Sequence, residues 1–256
     1  MDVLIERKGA IGIVTINRAE VKNALTGAMQ KDITAAFDEF SSDPEVRAVI
    51  LTGAGGEFTA GADVKDIGAG GVADSVGRLA ILGRMVQSIY NTRKPTVAVV
   101  PGVCLGMGWG MALACDIVLA AETARFGAVF RNVGLAPDAG ISWFLPRIVG
   151  PMRAKELIYS GRFVSGTEAA ELGLALEALP QEQLMDRAME LAESMAQGPT
   201  LAFALAKRQF DLASTLGLGQ FLEAEASTQP IASRSEDSAE AVVAFREKRK
   251  PAFKGR

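Results

Sequence analysis

The sequence has no histidine among its 256 residues. This absence excludes serine–histidine–aspartate and cysteine–histidine nucleophiles, histidine general bases and histidine-ligated zinc. Any catalysis by this chain must therefore depend on carboxylates, lysines, hydroxyls or backbone amides, and we predict no metal site.

Cysteine is almost absent as well. The two cysteines, Cys104 and Cys115, do not form a CxxC motif, and each lies in an apolar stretch rich in glycine and alanine. Two cysteines in a chain of this length do not make a disulfide framework, which favours a reducing compartment. We interpret both as small core residues.

The chain also lacks an excess of one charge and a long apolar run. It has 27 basic and 30 acidic residues, a formal net charge of −3, so we expect no nucleic-acid partner. The most apolar stretch, 96–121, is interrupted by Pro101, several glycines and Asp116, so we expect no membrane partner. The first residues lack a signal-peptide pattern, and we predict a cytoplasmic protein.

Hydrophobic patterning predicts an α/β core followed by a helical region. The first half alternates β-branched, strand-like runs with amphipathic, helix-like segments. Beyond about residue 181 the pattern is almost only helical, and Gly198-Pro199, Gly217 and Pro230 separate the segments. The predicted helices there span 181–197, 200–214, 217–228 and 236–249.

Two segments of small residues can bring backbone N–H groups close to a ligand. Residues 53–64 form a glycine-rich loop after a buried strand, although a tight turn would explain them equally well. Residues 101–110 follow a strand and open a helix, whose first N–H groups are unpaired. Close packing of helix on sheet is the alternative there, and neither segment has the spacing of a nucleotide-binding glycine motif.

A third segment, 133–143, carries one carboxylate in apolar surroundings. Asp138 lies close in sequence to Phe130, Leu135 and Trp143. Such a carboxylate is a candidate general base, but aspartate is also among the best helix N-caps. Capping of a helix that starts at residue 139 therefore explains Asp138 equally well.

Taken in order, these segments resemble the crotonase superfamily, also called the enoyl-CoA hydratase/isomerase family. The resemblance covers essentially the whole chain, and no single motif carries it alone. The matching stretches are Asn17-Arg18, KNAL (22–25), FTAGADVKDI (58–67), PTVAVVPGVCLGMGWGMALACDIVLAAETARFG (95–127), VGLAPDAGISWFLPRIVG (133–150) and AVVAFREKRKPAFKGR (241–256).

The resemblance implies a spiral of repeated ββα units with a C-terminal all-α region that forms trimers. Residues 1–197 would then be the CoA-binding catalytic core, and 198–256 the helical oligomerisation region. We accordingly expect a homotrimer or a dimer of trimers. The substrate would be an acyl-CoA thioester, with coenzyme A present only as part of the substrate and no tightly bound cofactor.

Site residues follow from the same resemblance. The N–H groups of Ala62 and Met107 would form an oxyanion hole for the enolate. The tail residues Lys250 and Phe253 would reach the CoA of a neighbouring subunit, although a solvated charged helix end explains the tail as well. The other expected contacts with CoA or substrate are Lys22, Ala24, Leu25, Ala60, Asp63, Val64, Lys65 and Gly106.

The sequence departs from the family at the two glutamates with which hydratases act on water. Gly110 and Phe130 stand at those positions. Hydration needs a water that is oriented and deprotonated and a proton delivered to Cα, and neither residue can do this. Asp138 would then be the single acid/base, in a pocket walled by Phe130 and Trp143 that raises its pKa.

The segment around Asp138 is most similar to that of 1,2-epoxyphenylacetyl-CoA isomerases, from which Ile141 and Ser142 depart. Some Δ3,Δ2-enoyl-CoA isomerases likewise use one acidic residue. We therefore favour an isomerase that shifts a double bond or rearranges an epoxide. Three alternatives stay open: an enoyl-CoA hydratase with non-standard water activation, a thioester hydrolase, and a non-catalytic acyl-CoA-binding trimer in which Asp138 only caps a helix.

Overall fold

The computed structural model describes residues 1–63 and 70–256. Within these ranges, no helix is long and apolar enough to cross a membrane. Both cysteines are free and buried, as predicted.

The strands are β1 (Val3–Lys8), β2 (Ile11–Ile16), β3 (Ala48–Gly53), β4 (Thr96–Val100), β5 (Val103–Leu105), β6 (Ile117–Ala121), β7 (Arg125–Gly127), β8 (Phe163–Ser165) and β9 (Glu177–Leu179). The α-helices are α1 (Gly27–Ser42), α2 (Val72–Tyr90), α3 (Met107–Ala114), α4 (Ile141–Ser160), α5 (Gly166–Glu171), α6 (Gln181–Ala196), α7 (Thr200–Ala213), α8 (Leu218–Ser233) and α9 (Glu236–Glu247).

The strands form two sheets. The larger sheet has the order β1-β2-β3-β4-β6-β9, and the smaller has the order β5-β7-β8. β1 and β2 form an antiparallel hairpin, and the remaining neighbours in the larger sheet are parallel. All residues of β4 are buried, because helices cover both faces of such parallel strands and favour continuous apolar runs.

The chain winds between the two sheets in ββα units. β4 joins the larger sheet, β5 joins the smaller one, and α3 follows them. β6 and β7 repeat this division, and α4 follows after a short 3-10 turn (Val129–Val133). This winding confirms the predicted spiral, and it brings the end of β5 directly to the start of α3.

The C-terminal region is helical, with one difference from the prediction. α8 continues past Pro230 to Ser233, where the sequence pattern predicts a break. Pro230 lies in the last turn, so the missing N–H removes only one hydrogen bond near the helix end. α8 buries none of its residues and α7 only Thr200, so both helices leave apolar side chains uncovered. The division between residues 197 and 198 stays a prediction.

Candidate active site

Two loops of the core are joined backbone to backbone. The N–H of Thr59 donates to the carbonyl of Val103 (2.9 Å), and the N–H of Leu105 donates to the carbonyl of Thr59 (3.0 Å). Gly61 has a φ of 98°, and a Cβ there would lie 2.9 Å from the carbonyl oxygen of Leu105. A glycine is therefore needed at this close approach, which fixes the residue after it, Ala62, relative to the start of α3.

Two peptide N–H groups at this junction have no acceptor among the described residues. Within the described ranges, neither Ala62 nor Met107 donates its N–H to a protein acceptor. Met107 is the first residue of α3, where helical N–H groups have no partner and the helix dipole is positive. Both residues line one cavity of about 610 Å³. The structure thus brings the two predicted oxyanion donors together, although the role itself stays a prediction.

A buried asparagine holds the first loop in place. The Nδ2 of Asn23 donates to the carbonyls of Ala54 (2.9 Å) and Glu57 (2.8 Å). The hydroxyl of Thr59 donates to the carbonyl of Asn23 (2.6 Å). In the sequence, Asn23 is visible only as part of a matching motif, and its positioning role depends on partners more than 30 residues away.

Several predicted CoA contacts gather beside Ala62. The N–H of Asp63 donates to the carbonyl of Leu25 (3.0 Å). Arg18 bonds the carbonyl of Ala24 (2.8 Å) and pairs with the carboxylate of Asp63 (3.2 Å). Because Asp63 is buried and paired with Arg18, its observed role is to position the loop. A contact of Asp63 with CoA stays a prediction.

Of four further predicted CoA contacts on these loops, the structure describes two. Ala60 donates its N–H to the carbonyl of Lys22 (2.8 Å), and the exposed Lys22 ammonium lies 3.5 Å from Glu57. Val64 and Lys65 lie outside the described residues.

Asp138 lines the same cavity as the two N–H groups. It is half-buried, and its Oδ1 is enclosed without a hydrogen-bond partner in the part of the chain that the structure describes. Burial raises the pKa of Asp138 from its usual range to about 6, and only its own backbone N–H opposes the shift. A carboxyl with this pKa can accept a proton and release it again near neutral pH.

The interpretation of Asp138 as a helix cap is wrong. α4 begins at Ile141 with Gly140 as its N-cap, and no side chain caps it. Ala139 and Gly140 both adopt left-handed backbone conformations, with φ of 50° and 76°. These two residues separate the Asp138 carboxyl from the first helical turn. The carboxyl therefore lines the cavity and does not cap the helix.

The turn from Asp138 to Gly140 rests directly on Gly110 of α3. A Cβ at position 110 would lie 2.3 Å from the carbonyl oxygen of Ala139 and 2.6 Å from its Cβ. No side chain fits there without moving that turn, so the position at which the resemblance places the first glutamate of a hydratase is closed.

Comparison with known proteins shows the family and the fold of this chain. The family described as "Enoyl-CoA hydratase/isomerase" matches residues 6–256. The chain belongs to this family. It is 38% identical over 250 residues to a protein of Rhodobacter capsulatus named "Probable enoyl-CoA hydratase", covering 96% of this chain and 95% of that one. It is 36% identical over 251 residues to the 1,2-epoxyphenylacetyl-CoA isomerase of Escherichia coli, covering 95% of this chain and 94% of that one. The structure of an enoyl-CoA hydratase from Bacillus anthracis superposes with a TM-score of 0.95 at 31% identity and covers 100% of both chains, so the fold is the crotonase fold.

The second position at which hydratases of this family carry a glutamate is also without a carboxylate. Phe130 is buried near Gly106, where a Cβ would lie 3.8 Å from the Phe130 ring. Phe130 is not among the described residues that line the two cavities meeting at Asp138, and its role as a pocket wall stays a prediction. Its position in the 3-10 turn after β7 directs it against the start of α3.

A second cavity, of about 570 Å³, meets the first cavity at Asp138. Trp143 lines it, as predicted, together with Tyr90 and Phe144. The rings of Tyr90 and Trp143 are 5.6 Å apart and those of Trp143 and Phe144 are 5.0 Å apart, both edge to face. The Tyr90 hydroxyl donates to Asp211 of α7, so a helix of the C-terminal region holds one wall of this cavity.

The tail residues are not at the site within one chain. The carbonyl of Phe253 accepts from Arg47 (2.7 Å), and Phe253 lines cavities that contain neither Ala62 nor Asp138. Lys250 is exposed. Their contact with CoA on a neighbouring subunit stays a prediction.

Two long polar side chains in the described cavity wall were not predicted from the sequence. Gln30 and Arg78 line the cavity that holds Asp138. The sequence contains a signal for Gln30, because this polar residue interrupts the apolar stripe that includes Ile33 and Phe37 of α1. Arg78 had none, because a charged residue on an amphipathic helix ordinarily faces solvent.

Proposed function

We propose that this member of the enoyl-CoA hydratase/isomerase family isomerises acyl-CoA thioesters, with Asp138 as the single acid/base. One observation carries the proposal. Among the described residues that line the cavity of the Ala62 and Met107 N–H groups, Asp138 is the only carboxylate. The acyl-CoA would lie along the loop of Ala24 and Leu25, with its thioester between the two N–H groups.

The proposed reaction needs one base and one anion site. Asp138 takes a proton from Cα of a 3-enoyl thioester, which breaks the Cα–H bond and forms a dienolate. The N–H groups of Ala62 and Met107 stabilise the negative charge on the thioester oxygen. Asp138 then returns the proton to Cγ, which places the double bond between Cα and Cβ and restores the carboxylate. Rearrangement of an epoxide would use the same enolate stabilisation.

Hydration is the second candidate, because most of the similar proteins are named hydratases. It needs a second group to activate water, and Gly110 and Phe130 stand at the positions of the family's glutamates. The apolar walls around Asp138, including Leu79, Leu82 and Pro137, also favour proton transfer within the substrate over attack by water.

The test is a turnover assay with two thioesters of equal length, a 3-enoyl-CoA and a trans-2-enoyl-CoA. Isomerisation predicts that the conjugated thioester accumulates from the first and that the second is not hydrated. Formation of 3-hydroxyacyl-CoA from the 2-enoyl substrate, without isomerisation of the 3-enoyl substrate, would show hydration instead.

The rate should depend on pH through Asp138. Its raised pKa of about 6 means that the carboxylate, the form that accepts the Cα proton, dominates above that pH. We expect kcat/KM to be constant at higher pH and to fall about tenfold per unit below about pH 6, since kcat/KM reports ionisation of the free enzyme. A profile that stays flat down to about pH 4.5 would contradict the role of a buried base.

We further propose that the C-terminal helices assemble copies of this chain into a trimer or a dimer of trimers. Large apolar side chains on α7 and α8 are exposed within one chain, namely Phe210, Leu218, Leu222 and Ile231. Multi-angle light scattering should give three or six times the chain mass of 26.9 kDa, and a monomer at micromolar concentration would disprove the assembly.

A further inference from the structure

A buried glutamine in the wall of the active-site cavity has a side-chain oxygen without a partner among the described residues. Gln30 on α1 is only 7% exposed and lines the cavity that also holds Ala62, Met107 and Asp138. Its Oε1 is enclosed and accepts no hydrogen bond from the residues that the structure describes. Because unpaired buried carbonyls are costly and rare, this amide needs a partner from whatever fills the cavity.

A guanidinium lines the same cavity from α2. One nitrogen of Arg78 donates to the hydroxyl of Ser75 (2.8 Å), and Ser75 also lines the cavity. No described carboxylate lies within ion-pair distance of Arg78, so most of its five N–H donors have no acceptor in the described protein. The remaining lining is mainly apolar and includes Leu25, Leu79, Leu82 and Leu135. Gln30 and Arg78 therefore place hydrogen-bonding groups among the apolar side chains of this pocket.

We propose that the acyl group of the substrate carries a hydroxyl in its distal part, which Gln30 and Arg78 recognise. A hydroxyl can donate to the Oε1 of Gln30 and accept from the guanidinium of Arg78 at once. An alkyl chain leaves both groups unpaired, and a carboxylate accepts from Arg78 but cannot donate to a carbonyl. The inference rests on the proposed function, since it takes this cavity as the acyl pocket of a CoA thioester.

The experiment measures binding of thioesters that cannot be isomerised. Hexanoyl-CoA, 6-hydroxyhexanoyl-CoA and adipoyl-CoA are titrated calorimetrically into the wild type, Gln30→Leu and Gln183→Leu. Gln183 is an exposed glutamine on α6 and serves as the matched control. We expect the wild type to bind the hydroxylated thioester at least about tenfold more tightly than the alkyl one. Gln30→Leu should bring the two within about twofold, and Gln183→Leu should keep the wild-type ratio.

Three results would overturn the inference: equal binding of alkyl and hydroxylated thioesters by the wild type, preference for the carboxylate, or an unchanged ratio in Gln30→Leu. If Gln30→Leu does not fold, Arg78→Met supplies the same comparison, because it keeps the side-chain stem and removes the donors. Because the three thioesters cannot be isomerised, their binding is measured independently of the proposed reaction. Hydroxyl preference without isomerisation of any 3-enoyl thioester would refute the proposed reaction and leave this inference standing, and failure of all three thioesters to bind would refute both.

Discussion

Replacing Asp138 by asparagine should lower kcat/KM for the 3-enoyl-CoA by a factor of about 10²–10⁴, the usual contribution of a general acid–base group. The amide has nearly the same shape, but it cannot accept the Cα proton or return it. The Ala62 and Met107 N–H groups are unaffected, so binding of an unreactive acyl-CoA should change little. Steady-state kinetics and calorimetry on the same preparation separate the two effects.

The same substitution should leave the fold at least as stable at neutral pH. The folded-state pKa of Asp138 is raised above its unfolded value of 3.8, so its contribution to stability is greatest below that value and is lost as pH rises through about 6. At pH 7 to 8 the wild type holds a desolvated charge that asparagine lacks. A melting temperature equal to or above that of the wild type, with activity lost, identifies a catalytic carboxylate. An inactive variant that also unfolds early would indicate a structural role, and an active one would refute the base.

Gly110→Ala adds only one methyl group, yet it should lower activity strongly. The added methyl would lie 2.3 Å from the carbonyl oxygen of Ala139, so the turn that carries Asp138 must move. Misplacement of a reacting group by about 1 Å can cost about 100-fold in rate, and overpacking costs about 1–3 kcal/mol of stability. We expect kcat to fall by one to two orders of magnitude. The variant would be assayed on the 3-enoyl-CoA and unfolded in urea.

Two further variants show whether Gly110→Ala lowers kcat by moving the turn that carries Asp138. Gly77→Ala adds the same methyl on α2, where no atom lies within 4 Å, and should keep activity while gaining about 0.5–1 kcal/mol. Ala139→Gly removes the second close contact, 2.6 Å from the added methyl, and lets residue 139 shift at little cost. In the Gly110→Ala background it should restore part of the lost kcat. Full activity of Gly110→Ala alone would mean that Asp138 does not depend on this contact.

The sequence predicts the architecture well because its signals are local. The run of β4 is apolar from Val97 to Val100, and the glycines at 61 and 106 mark the two loops that carry the N–H groups. What it does not predict depends on contacts between distant residues. The role of Asp138 is decided by the left-handed φ of Ala139, a conformation that alanine adopts rarely. The significance of Gly110 depends on the same turn, which lies almost 30 residues further along the chain.

The proposed oxyanion donors are peptide N–H groups, and backbone hydrogen bonds between the loops of Thr59 and Leu105 hold these loops together. Side-chain exchange at positions 62 and 107 therefore cannot remove the proposed donors, whereas the proposed acid/base is the single side chain of Asp138. The site separates an anion-stabilising frame from an exchangeable proton-transfer part. For enzyme engineering, this means that the reaction can be redirected by moving one carboxylate across the cavity while the thioester stays bound in the same place.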